Sequence, residues 1–172
     1  MVELPEKPSV EILPDLLERN LKVVFCGTAV GKQSAERGAY YAGDGNKFWP
    51  ILCSIGITDR LFEPSEYRNL LMYRVGLTDL AKRVSGSDSK IKPADFDRAR
   101  LRQVVDDYKP FALAFTSKNA GQSFFGRKRD YGQQPETLRT TRIYILPSTS
   151  GLANAYWSKD WWVRLAADIR DQ

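Results

Sequence analysis

Chemistry in this chain has to come from carboxylates, amides, hydroxyls, backbone dipoles, lysines and arginines, because the sequence contains no histidine. That absence removes every Ser-His-Asp triad, Cys-His dyad and His-ligated metal site. Cys26 and Cys53 have no metal-ligand spacing and make no disulfide framework, and two thiols cannot hold a four-Cys iron–sulfur cluster. They read as reduced core thiols of an intracellular protein. No metal and no cofactor are expected.

Three segments carry residue types that suit a ligand. Gly27-Thr28-Ala29-Val30-Gly31-Lys32-Gln33-Ser34-Ala35 follows an apolar run, and its glycines would let backbone N–H groups approach an anion. Its spacing fits neither a P-loop nor GxGxxG, and a plain tight turn fits it as well. Leu146-Pro147-Ser148-Thr149-Ser150-Gly151-Leu152-Ala153-Asn154 is rich in small hydroxyls suited to phosphate oxygens. Its Leu152 is placed to act as an apolar wedge, although a loop capping the last helix has the same composition. Gly38 to Asn46 sets Tyr40 and Tyr41 in a Gly-rich loop, either to stack on a flat ring or to cover the core edge.

The elements that would position these segments alternate strand and helix. Lys22–Cys26, Phe111–Phe115 and Arg142–Leu146 read as short buried strands, and Gly76-Leu77-Thr78-Asp79 as a further short strand end. Helices are expected over Asp15–Asn20, from Asn46 to Ile55, from Pro64, over Asp95–Tyr108, after Ser117, and over Ser158–Arg170. The pattern predicts an α/β fold, a three-layer α/β/α sandwich with a central, mainly parallel sheet. Residues 1–20 read as an N-terminal lead-in, broken by Pro5, Pro8 and Pro14, and 21–172 as a single domain. In such folds ligands bind in loops at the carboxyl ends of the strands.

Composition narrows the class. With 172 residues, 42% hydrophobic and 27% charged, the chain is expected to be one soluble globular domain. Its longest apolar runs are too short to cross a bilayer, and its acidic, Pro-punctuated start is no signal peptide. The net charge of +5 permits a polyanionic partner. The expected location is cytoplasmic, with the nucleoid as the site in a bacterium.

The combined motifs resemble the uracil-DNA glycosylase superfamily, in particular its mismatch-specific uracil/thymine branch. The carrying segments run in order over roughly 21–170. They are Val23-Val24-Phe25-Cys26-Gly27, then Gly31 with Ser34-Ala35, Asn46-Lys47-Phe48-Trp49 and Ile57-Thr58-Asp59-Arg60. Leu71 to Thr78, Tyr108-Lys109-Pro110, Leu146-Pro147 and Ser150-Gly151-Leu152 complete the set. The resemblance implies a monomer that binds uracil-containing DNA, double- and also single-stranded, flips a nucleotide out and hydrolyses its base–sugar bond in base-excision repair. It implies Tyr41 as the ring that stacks on the base, the backbone at Thr28 and Tyr41 along the base's polar edge, and Asn46 as the residue ordering that loop. Ser150-Gly151-Leu152 would be the intercalating loop, with Asn154 just beyond it. Lys32, Gln33, Ser34, Lys118, Ser148 and Ser150 would hold phosphates.

Two departures redirect the chemistry. Ala29 stands where the mismatch-specific branch has a water-positioning Asn, and an alanine methyl cannot orient water. The chain thus resembles atypical members that lack this Asn, some of which use a carboxylate from elsewhere. Asp79 is the candidate here, with Asp44 second, and the alternative for Asp79 is that it caps a helix over Leu80–Val84. Ser148 and Thr149 replace Asn-Pro in the second motif, and no histidine is present to hold the departing base anion, which leaves amides and hydroxyls near Ser148–Ser150 for that task. Two other readings share the fold: a glycosylase for hypoxanthine or another deaminated base, and an inactive damage-binding module.

Overall fold

The computed structural model describes residues 10–172. Pro5 and Pro8 lie outside the described residues. A five-stranded sheet in the order β2-β1-β3-β5-β4 forms the centre, with β1 at Val23–Val30, β2 at Val75–Ser85, β3 at Ala112–Phe115, β4 at Gly132–Leu138 and β5 at Thr141–Ile145. The β1–β2, β1–β3 and β3–β5 pairs are parallel, and β4 runs antiparallel to β5. The α/β class and the mainly parallel sheet expected from the sequence are both present.

Side-chain alternation on the strands divides the core into two layers. Val23 and Phe25 of β1 face an aromatic layer that holds Phe48, Trp49 and Trp162. These come from α2 (Phe48–Ser54) and α5 (Asp160–Ile169). Val24 and Cys26 face the other layer, with Leu101, Val105 and Phe124. Those residues belong to α3 (Arg98–Tyr108) and α4 (Lys118–Phe125). Helices therefore cover both faces of the sheet.

Several local expectations are corrected. β1 continues through Gly27 to Val30, so the turn starts only at Gly31, where the short helix α1 (Lys32–Arg37) follows. β2 runs on to Ser85, so Asp79 sits within a strand and has no helix over Leu80–Val84 to cap. Asp15–Asn20 forms no helix. Instead Leu16 makes a two-way backbone bridge with Leu77, and the Ile12 amide donates to the Lys82 carbonyl. Leu13 and Leu16 are buried, so this part of the lead-in packs along the outer edge of β2. The stretch from Pro64 to Tyr73 is a 3-10 helix. β4 has no apolar run to announce it, since its sequence is Gly-Gln-Gln-Pro-Glu-Thr-Leu.

Candidate active site

The parallel strands end in one cleft of about 830 Å³. Its walls come from the end of β1, α1, the tyrosine loop, the segment after β3 and the loop after β5. Asp79, Asp44, Thr28, Tyr41, Asn46, Lys32, Gln33, Ser34, Lys118, Ser148, Ser150, Gly151 and Leu152 all line it. Asn154 does not, although it borders the same loop and contacts the Lys47 ammonium.

Asp79 lies opposite Gly27 in the β1–β2 register. The absence of a side chain at Gly27 is what admits its carboxyl. A Cβ there would meet Asp79 Oδ1 at 2.7 Å, with the Tyr41 hydroxyl at 3.6 Å and Thr116 Oγ1 at 3.7 Å. Three oxygens thus converge over one glycine. Asp79 is 3% exposed, and its buried Oδ2 has no hydrogen-bond partner among the described residues. An unpaired buried carboxylate oxygen is costly in a resting protein and is suited to a group that completes the site. Burial pushes the Asp79 carboxyl up to about 7; Lys82 and Arg100 draw it down, and Asp15 pushes it further up. Near neutral pH it is therefore poised between its two forms.

Tyr41 adopts the left-handed backbone region, with φ at 51°. Its ring stacks on Phe48 at 3.8 Å between centroids, and Phe48 is held edge-on by Phe25 and Trp49. Its hydroxyl pairs with Thr116 Oγ1 at 2.9 Å. Burial and then the nearby Asp79 push the Tyr41 phenol well above its ordinary range, against the Thr116 hydrogen bond, so it stays a neutral hydroxyl. Thr28 Oγ1 faces Ser117 Oγ at 3.5 Å. Asn46 Oδ1 accepts from the Phe48 amide and fixes the entry into α2.

The other carboxylate differs in every respect. Asp44 is exposed on the rim, where Gln33 and then Arg37 hold its carboxyl below the usual range. The Gln33 amide both donates to Asp44 Oδ2 and accepts from its backbone N–H, so this side chain is committed to the loop. Ser34 is buried, and its Oγ accepts from the Ala42 amide at 2.9 Å. Lys32 is exposed at the cleft mouth. Lys118 lies over the Tyr131 ring at 4.6 Å.

The loop after β5 is ordered from within. Ser148 Oγ accepts from the Ser150 amide and Ser150 Oγ from the Leu152 amide, which leaves each hydroxyl proton free to donate outward. The Lys47 amide donates to the Thr149 carbonyl at 2.8 Å and ties this loop to the start of α2. Leu152 projects from it, 94% exposed.

Some of the site escapes sequence reasoning. Thr116 and Ser117 directly follow the strand Phe111–Phe115, so the loop after that strand was the available signal. Tyr131 and Tyr156 line the cleft with no motif to mark them. Arg100, on α3, donates to the Asp79 and Asp15 oxygens from a half-buried position. In the basic loop Arg127-Lys128-Arg129, both arginines are paired with Glu136.

The arrangement places a carboxyl of adjustable charge, a stacked aromatic and neutral hydroxyls in one cleft, with a projecting leucine at its rim. A solution NMR structure of a candidate uracil DNA glycosylase from Methanosarcina acetivorans is similar in fold. The two share 24% sequence identity over 92% of this chain and 95% of that one, with a TM-score of 0.60. The family model for the uracil DNA glycosylase superfamily matches residues 14–169. That match spans the sheet, the cleft and both flanking helical layers, and the chain belongs to the uracil DNA glycosylase superfamily.

Proposed function

We propose that this protein removes uracil from DNA, as an atypical relative of the mismatch-specific branch in which Asp79 takes over from the missing first-motif Asn. The observation that carries the reading is the Asp79 carboxyl, buried over Gly27 with Oδ2 unpartnered at the floor of the cleft. Ala29 follows on the same strand and offers only a methyl group.

In the proposed reaction the flipped nucleotide enters the cleft and the C1′–N bond of the sugar breaks. The bonding pair leaves with the base, and the sugar becomes an oxocarbenium-like cation. Ionised Asp79 steadies that cation and accepts a proton from the water whose oxygen forms the new bond to C1′. Hydroxyl donors of Ser148 and Ser150 offer hydrogen bonds to the base anion, which takes up the proton as the product leaves. The Tyr41 ring, backed by Phe48, gives the base a rigid aromatic wall, and Leu152 fills the gap in the stack.

The test is direct. Purified protein on uracil-containing duplex and single strands is expected to yield alkali-labile abasic sites. Asp79→Ala is expected to abolish them while DNA binding stays. Full activity in that variant would remove Asp79 from the reaction. Hydroxyls both donate and accept, and Thr28 and Ser117 add to this tolerant set. That favours a second substrate of the hypoxanthine type, so the same assay includes a hypoxanthine oligonucleotide. Binding to damaged DNA with no cleavage of any base would point to the inactive damage-binding module instead.

A further inference from the structure

A second group of charges meets beside Asp79 outside the cleft. Asp15 Oδ1 lies 2.8 Å from Lys82 Nζ, and Asp15 Oδ2 lies 2.7 Å from Arg100 Nη1. The Thr78 hydroxyl donates to Asp15 at 2.7 Å and accepts from Arg100 Nη2 at 3.0 Å. Arg100 Nη2 also donates to the backbone carbonyl of Asp79 itself, at 2.7 Å. Lys82 donates onward to the Leu13 carbonyl and to the Tyr40 hydroxyl. Its side chain is 4% exposed. Lysine is seldom buried so deeply unless an anion accompanies it.

The charges in this group do not balance among themselves. Lys82 and Arg100 bring two positive charges, and Asp15 brings one negative. The remaining titratable groups that face Asp79 are Cys26 on β1 and Tyr40 and Tyr41 on the loop, and burial pushes all three upward, so they stay neutral. Among the described residues, the Asp79 carboxyl is a further acid whose ionised form both cations favour through space. None of Asp15, Lys82 and Arg100 lines the cleft, so the group is not placed to grip a ligand there.

We propose that Asp15, Lys82 and Arg100 are positioning residues for Asp79. They clamp the strand that carries it and supply the charge its ionised form neutralises. The inference rests on the reading of Asp79 as the reacting carboxylate. Its physical basis is that opposite charges favour ionisation of a buried acid and a like charge opposes it. The three residues then act in opposing directions on one group. Asp15 holds Asp79 towards its protonated form, and the two cations hold it towards the carboxylate.

The experiment is a pH titration of the full chain with carbon-13-labelled aspartate carboxyls, read by NMR. The Asp79 signal is identified by its loss in Asp79→Asn. Asp15→Asn is expected to lower the Asp79 midpoint by about one pH unit, and Lys82→Gln to raise it by about as much. Arg100→Gln is expected to raise it too, and it serves as the cation arm if Lys82→Gln does not fold. Midpoints that stay put, or that move the same way in all variants, would overturn the proposal and leave a purely structural clamp. The pH–rate profile on uracil DNA is expected to shift in parallel. If Asp79→Asn keeps its glycosylase activity, the reading of Asp79 fails, and the NMR midpoints still report separately on the charge cluster.

Discussion

Asp79 and Gly27 face each other across the β1–β2 pair, and the carboxyl occupies the space that any Cβ at Gly27 would need, at 2.7 Å. The missing side chain on one strand is the condition for the acid on the next. Gly27→Ala is expected to push the Asp79 carboxyl from its place, since backbone cannot yield as a flexible side chain does. A displacement on the scale of 1 Å would lower the glycosidic-cleavage rate by on the order of 100-fold. Single-turnover cleavage of uracil DNA, with a melting curve to verify folding, measures it.

The pH dependence follows from the elevated acid. Asp79 moves from its ordinary 3.8 to about 7 in the folded chain, so cleavage is expected to rise with pH through about 7 and then level off. Stability responds in the opposite sense. Between about pH 4 and about pH 7 the folded chain holds this proton more tightly than the unfolded one, so each rise in pH within that window lowers stability. Above it the cost is constant, on the order of 4 kcal/mol. Asp79→Asn removes this contribution. Its stability relative to the parent is therefore expected to improve from pH 5 to pH 8, as read by denaturant unfolding at both values.

Leu152 tests the wedge separately from the pocket. It is 94% exposed and packs against nothing in the core, so Leu152→Ala is expected to change stability by less than about 0.5 kcal/mol. Cleavage of uracil in duplex is expected to fall by roughly tenfold, because extrusion from a stack is what the side chain assists. Cleavage of single-stranded uracil is expected to stay near the parent rate. Equal losses on both substrates would argue against the wedge.

The sheet was legible where it is apolar. Val23–Cys26, Ala112–Phe115 and Ile143–Ile145 are short hydrophobic runs buried on both faces, and this is how a parallel strand reads. β4 was not legible, because Gln133, Glu136 and Thr137 form an edge strand whose register against β5 is set by pairing rather than by apolar residues. β2 was legible only in part. Thr78, Asp79 and Lys82 interrupt its apolar pattern, and their burial depends on Asp15 and Arg100, which the fold delivers from distant stretches of the chain. For the same reason nothing in the helix Asp95–Tyr108 by itself distinguishes Arg100 from its neighbours Arg98 and Arg102. The cleft loops were found because they follow strand ends, whereas Tyr131 sits where no pattern pointed.

The packing of Leu13 to Leu16 against β2 changes where this chain can be cut. Apolar patterning suggests a domain starting near residue 21. A chain trimmed there would keep every strand and helix and every residue that lines the cleft. It would lose Asp15, leave the Lys82 ammonium buried beside Arg100 with no anion between them, and expose the edge that Leu16 covers. The unit that holds this sheet edge and its charges together therefore begins within what looks like a tail.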